Sequence, residues 1–217
     1  MDKNLIRKII VCLIGSFFYA SGVTLVAVCN LGISPIMSAP FAFSVVTGDS
    51  LGTCSQYLNM LLYVVQKIIR GKDYDLKTFI IQLILGSVFA VLIDFTGMLF
   101  GGFVPQGYVF RIVYLLFGCF VLAFGVTGVV MSGFGMLAGE GVAVGIQKHT
   151  KFEFGTCKII FDCSMVALSI IISLVFLPEI VGVREGTLIS AISIGWFAKK
   201  IGPFMKTRIM KFLNPEQ

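Results

Sequence analysis

With 217 residues, 57% of them hydrophobic and 13% charged, and a mean hydropathy of +0.97, the chain excludes a water-soluble globular domain. A formal net charge of +6 would suggest a nucleic-acid partner in a soluble protein. Here 15 of the 17 Lys and Arg cluster at the N-terminus, in two connections and at the C-terminal end, so the excess is a topology signal and no nucleic-acid partner is expected. Six cysteines without CxxC spacing and one histidine, His149 in a cytoplasmic loop, exclude a zinc site and a disulfide framework, so no metal or cofactor is expected. No nucleophile-base pair or phosphate loop occurs, so no catalytic residue is assigned and an enzyme is not expected.

In chain order, six apolar stretches approach the length a bilayer needs: Leu5–Val28, Gly52–Gln66, Thr78–Phe100, Phe110–Met131, Thr156–Leu177 and Thr187–Ile201. The first is too long and aromatic for a cleaved signal peptide and counts as a span. Only Arg111 and Arg184 fall opposite the other basic residues, which places both termini of a multi-pass membrane protein in the cytoplasm.

Between the first two spans, Ser34-Pro35 has the form of a helix start, a capping serine and a proline at the first position, and predicts a helix from Pro35 to Val46. At 1.5 Å per residue such a helix spans about 18 Å, half a membrane. The stretch Met136–Thr150 matches it in the second half, with Gly139, Gly141, Gly145 and Glu140. Both are expected to dip into the membrane after turns at Gly32 and Gly135; lying flat at the interface is the alternative.

The chain also repeats itself. Ile9–Cys54 aligns with Ile112–Cys157 without a gap at an offset of 103 (112 − 9), and fourteen of the 46 pairs are identical. They include Gly15/Gly118, Gly22-Val23-Thr24 against Gly125-Val126-Thr127, and Gly52-Thr53-Cys54 against Gly155-Thr156-Cys157. Since span one starts inside and span four outside, the halves must be inverted. The expected fold is an all-α membrane protein of one domain, residues 1–217, with repeat one at about 5–101 and repeat two at about 108–203.

Polar residues inside spans are the binding candidates, because a charge at the bilayer centre normally faces protein or water. Asp94 lies in span three, near its outer end, with a reach to the headgroups as the alternative. Asp162 lies in span five, opposite its repeat partner Asn59, with Lys158 one turn away as the alternative partner. Glu140 falls in the first turn of the second short helix, as a dipole-stabilised cap or a coupling-ion contact. Ser34, Gly32 and Gly135 belong to the same candidate site, and Cys54 and Cys157 are lower-ranked thiols. The glycines of spans one and four point to close helix packing, and an exposed glycine face would equally suit a homodimer.

The segments Gly22-Val23, Asn30-Leu31-Gly32-Ile33-Ser34-Pro35, Thr47-Gly48, Leu51-Gly52-Thr53 and Val181-Gly182-Val183-Arg184-Glu185-Gly186-Thr187-Leu188-Ile189-Ser190-Ala191 resemble the YczE/YyaS/YitT family of bacterial membrane proteins. The likeness covers nearly the whole chain and implies an integral membrane protein without assigning an activity. One departure is Ala138 where the first short helix has Pro35. The functional expectation is a small secondary transporter or facilitator for a small polar or anionic solute in the lipid bilayer. The alternative is a non-transporting accessory or substrate-capture subunit.

Overall fold

The computed structural model describes residues 3–213, so the ends of the expected domain, 1–2 and 214–217, lie outside it. The described residues form eight α-helices and no strand. They are α1 (Lys3–Ala27), α2 (Pro35–Thr47), α3 (Leu51–Arg70), α4 (Leu76–Phe100), α5 (Tyr108–Ser132), α6 (Ala138–His149), α7 (Phe154–Phe176) and α8 (Glu185–Leu213), with a 3-10 turn at Gly71–Asp73. Four helices, α1, α4, α5 and α7, are long and apolar enough to cross a membrane. Large apolar side chains such as Met98, Val109, Leu174 and Ile192 stand exposed on the outer surface, as lipid-facing residues do.

The two remaining expected spans are helical but less apolar. Gln56, Asn59, Gln66, Lys67 and Arg70 interrupt α3, and Lys199, Lys200, Lys206, Arg208 and Lys211 load the second half of α8. Helix α8 runs twelve residues beyond the expected end at Ile201 (213 − 201), because Lys and Arg end an apolar run without ending a helix. His149 closes α6 and is not in a loop.

Helix α2 begins at Pro35 as expected and ends at Gly48, whose φ of 79° supplies the left-handed cap and whose N–H bonds Ser44 O. Ser50 caps α3 by accepting from Thr53 N–H at 3.1 Å, and its hydroxyl donates to Asp94 at 2.7 Å. Ser50→Ala is expected to lower stability by about 1 kcal/mol in thermal unfolding of the detergent-purified protein.

The centre of the molecule is the antiparallel pair α1 and α5. A Cβ on Gly15 would meet Val129 N at 2.7 Å, and one on Gly118 would meet Val26 Cγ2 at 3.1 Å. Gly22 lies directly on the backbone of Leu122, and Gly125 on that of Tyr19. Small residues thus bring the two backbones together. This uses up the glycine face inside one chain, so it is not free to make a homodimer. Helix α4 packs on α1 and α8 on α5, while α2 packs against α7 and α6 against α3. Tyr19, Val23, Ile33, Met37, Phe89, Leu122, Val129 and Leu137 fill the core between them.

Candidate functional site

The first turn of α6 is wedged among four other helices, and its glycines are the reason it fits. A Cβ at Gly139 would meet Ile36 Cδ1 of α2 at 2.5 Å and Phe161 Cε1 of α7 at 3.0 Å. At Gly141 the carboxamide of Gln66 from α3 and Gln82 Nε2 of α4, 2.7 Å from a Cβ, take the space. Glu140 stands between these two glycines, with only 7% of its surface exposed. Its Oε2 is fully buried and has no hydrogen-bond partner. Beside it is a small cavity of about 10 Å³, lined also by Tyr19, Val126, Val129, Val130, Met136 and Leu137. Lys158 and Asp162 of α7 are near enough for their charges to act on Glu140, the first attracting and the second repelling.

Asp162 itself is ion-paired to Lys158 at 2.5 Å, each side chain about a quarter exposed (25% and 26%). Asp162→Asn alone is expected to cost about 1–2 kcal/mol, between the exposed and buried limits for a broken pair. Adding Lys158→Met should restore most of it, and thermal unfolding of the single and double variants reads the difference.

Asp94 has a structural task. Its Oδ2 accepts from Ser50 and its Oδ1 from the Gly52 N–H at 2.8 Å, so the carboxylate caps α3 from α4, where the positive end of the dipole favours it. Each carboxylate oxygen thus holds one donor from the α3 start. Asn59 faces α4, where its Nδ2 would lie 3.2 Å from a Cβ on Gly86. Cys54 and Cys157 are buried, and each lies 3.8 Å from the threonine ending the preceding short helix, Thr47 and Thr150. They fasten short helices to long ones.

Ser34 precedes α2 but makes no cap bond, and its buried Oγ has no partner. Gly32 adopts φ 104° with Thr187 Oγ1 2.5 Å from where a Cβ would stand, so only glycine fits there. Gly135 was expected to match it, but the left-handed residue in the corresponding turn of the second half is Gly133, φ 60°, the counterpart of Asn30 at φ 55°. Gly135 instead packs against side chains, since Leu85 Cδ1 and Ile81 Cγ2 would lie 2.7 and 2.8 Å from a Cβ.

The turn carrying Gly32 is bound to the α7–α8 connection. Ile33 N–H donates to Gly182 O at 2.9 Å, Gly186 N–H to Leu31 O at 2.7 Å, and Arg184 Nη1 to Asn30 O at 3.2 Å. Above this clasp opens a cavity of about 620 Å³ that includes Asn30, Phe41, Val45, Glu179 and Arg184.

Three features were not anticipated. Tyr19 lay among the apolar and small residues of span one and gave no signal. Gln66 and Gln82 did give one, as amides within apolar helices. Gln66 Nε2 donates to Ala138 O at 3.3 Å, Gln82 Nε2 to Gln66 Oε1 at 3.1 Å and Tyr74 OH to Gln82 Oε1 at 2.7 Å, a chain from the α3–α4 connection to the turn of Glu140.

Residues 6–203 match the sequence profile of DUF6198, a family of unknown function. The chain belongs to that family. The matched region of this DUF6198 protein takes in both short helices, Glu140 and the clasp. No curated protein and no solved structure matches it.

Proposed function

We propose that this chain is a small secondary transporter or facilitator for a small polar or anionic solute. In this reading two inverted halves, each of three spans and one short dipping helix, cross the bacterial inner membrane six times, with both termini in the cytoplasm. The likeness to the YczE/YyaS/YitT proteins supports an integral membrane protein and assigns no activity.

The packing supports two-fold related halves. At the offset of 103, Gly22 on Leu122 becomes Gly125 on Tyr19, and Gly15 on Val129 becomes Gly118 on Val26. The pairings α1 with α4, α2 with α7 and α2 with α3 likewise map onto α5 with α8, α6 with α3 and α6 with α7. The halves depart from each other where a moving protein should. The clasp ties the first-half turn to Gly182–Gly186, while among the described residues no hydrogen bond joins its counterpart, 133–136, to the 71–78 connection. Helix α3 packs on α4, whereas α7 and α8 are not packed to a comparable extent.

The observation that carries the proposal is the meeting of the two short helices. Ile36 and Gly139 are repeat partners (139 − 36 = 103), and the Ile36 side chain takes the space a Cβ on Gly139 would need, so the first turns of the two short helices meet through that side chain beside a buried, unpartnered carboxyl. An arrangement that leaves a polar group unsatisfied inside a membrane protein is expensive and marks a ligand or ion path.

A thermal-shift screen of the purified protein against small anions, amino acids, sulfur compounds, nucleobases and vitamins tests this. A true ligand at about 100 times its dissociation constant should add about 2.7 kcal/mol. No stabilising solute, together with a co-purifying ATPase module, would replace transport by the accessory-subunit reading.

A further inference from the structure

We propose that Glu140 is a proton-carrying site: its carboxylate takes up one proton in exchange for no metal cation, and releases it again. As the identity of a coupling ion this rests on the transport reading, but its test needs no transported solute.

A buried carboxylate oxygen without a donor is costly, so the group calls for a cation of some kind. The surroundings choose which. The cavity beside Glu140 is walled by Val126, Val129, Val130, Met136 and Leu137, and Tyr19 is the one other lining residue with a side-chain oxygen. Hard cations such as Ca²⁺ and Mg²⁺ take about six oxygen ligands. Among the described residues there is no cluster of three His, Cys, Asp or Glu that would hold a metal. The volume of about 10 Å³ has room for one water and not for a hydrated ion.

The groups that face Glu140 are Tyr19 from α1, the Lys158–Asp162 pair from α7 and the neutral Gln66 amide from α3, which holds Ala138 O. The walls from α5 are apolar. At the repeat position of Glu140 (140 − 103 = 37) stands Met37, so the second-half carboxyl has no twin and the site holds a single proton. In the step itself a hydronium ion gives H⁺ to the carboxylate, an O–H bond forms on the oxygen, water is left, and the site passes from charge −1 to neutral. Deprotonation is the reverse.

The test is pH-jump difference infrared spectroscopy of the full-length protein in lipid nanodiscs. Acidification is expected to raise a protonated-carboxyl C=O band that shifts in D₂O, is lost in Glu140→Gln, and persists in Asp162→Asn and Asp94→Asn. Glu140→Asp, which keeps a carboxyl at shorter reach, should retain the band with a displaced midpoint, and it decides the matter if the Gln variant does not fold. A band unchanged in Glu140→Gln, or no displacement in Glu140→Asp, would overturn the proposal. So would a thermal midpoint raised by Na⁺, Li⁺ or Ca²⁺ at constant pH in the wild type but not in Glu140→Gln. A titrating Glu140 with no stabilising solute would sink transport and keep the proton site. A stabilising solute without the band would do the opposite.

Discussion

Gly125→Val and Gly22→Val are each expected to stop the chain from reaching a stable fold. At both sites the neighbour is backbone: Tyr19 N and Cα for Gly125, Leu122 N and Cα for Gly22. No flexible side chain can turn aside, so α1 and α5 would have to separate along their whole contact. The expected loss is more than about 3 kcal/mol, at or above the upper range for overpacking. Gel filtration in mild detergent and thermal unfolding check it. The same experiment has its own control, because nothing lies within 4 Å of a Cβ at Gly97 or Gly195. Those helical glycines replaced by alanine should gain up to about 1 kcal/mol each. Equal behaviour of Gly125→Val and Gly195→Ala would remove the antiparallel α1–α5 contact from the account.

The second large effect is at Glu140 and runs in opposite directions for stability and activity. Glu140→Gln keeps the shape of the side chain and removes the charge, so thermal unfolding should show a protein as stable as the wild type or more stable by about 1–3 kcal/mol, the cost of an unsatisfied buried polar group. Proton-coupled movement of the solute should be abolished. Residues retained at the expense of stability are characteristic of sites under functional demand. A marked loss of stability in Glu140→Gln would instead make the carboxylate a structural element.

The sequence already carried the helical plan. Hydropathy marked α1, α4, α5 and α7, Ser34-Pro35 marked the start of α2, and the paired glycines at 15, 22, 118 and 125 foretold the closest helix contact. What lay beyond it depended on which helices meet. Asp94 looks like a lone acid in an apolar span until α3 brings Ser50 and the Gly52 N–H to it across more than forty residues. Asp162 kept its pairing with Lys158 within one helix, so that contact was legible from spacing alone. Glu140 was visible as a first-turn acid, but not that both flanking glycines exist to admit α2, α7, α3 and α4. Nor does any local pattern reveal that its Oε2 ends without a partner. Gln66 and Gln82 sat in plain view as amides within expected spans, and the bonds that join them to each other, to Ala138 O and to Tyr74 give them a role.

The most direct measurement is the internal pH of proteoliposomes holding a trapped pH indicator, as solutes from the same panel are added outside one at a time. The account predicts that at least one small polar or anionic solute drives a pH change with the wild-type protein and none with Glu140→Gln inserted at equal density. The absence of a pH change for every solute, or an equal change with both proteins, would contradict it.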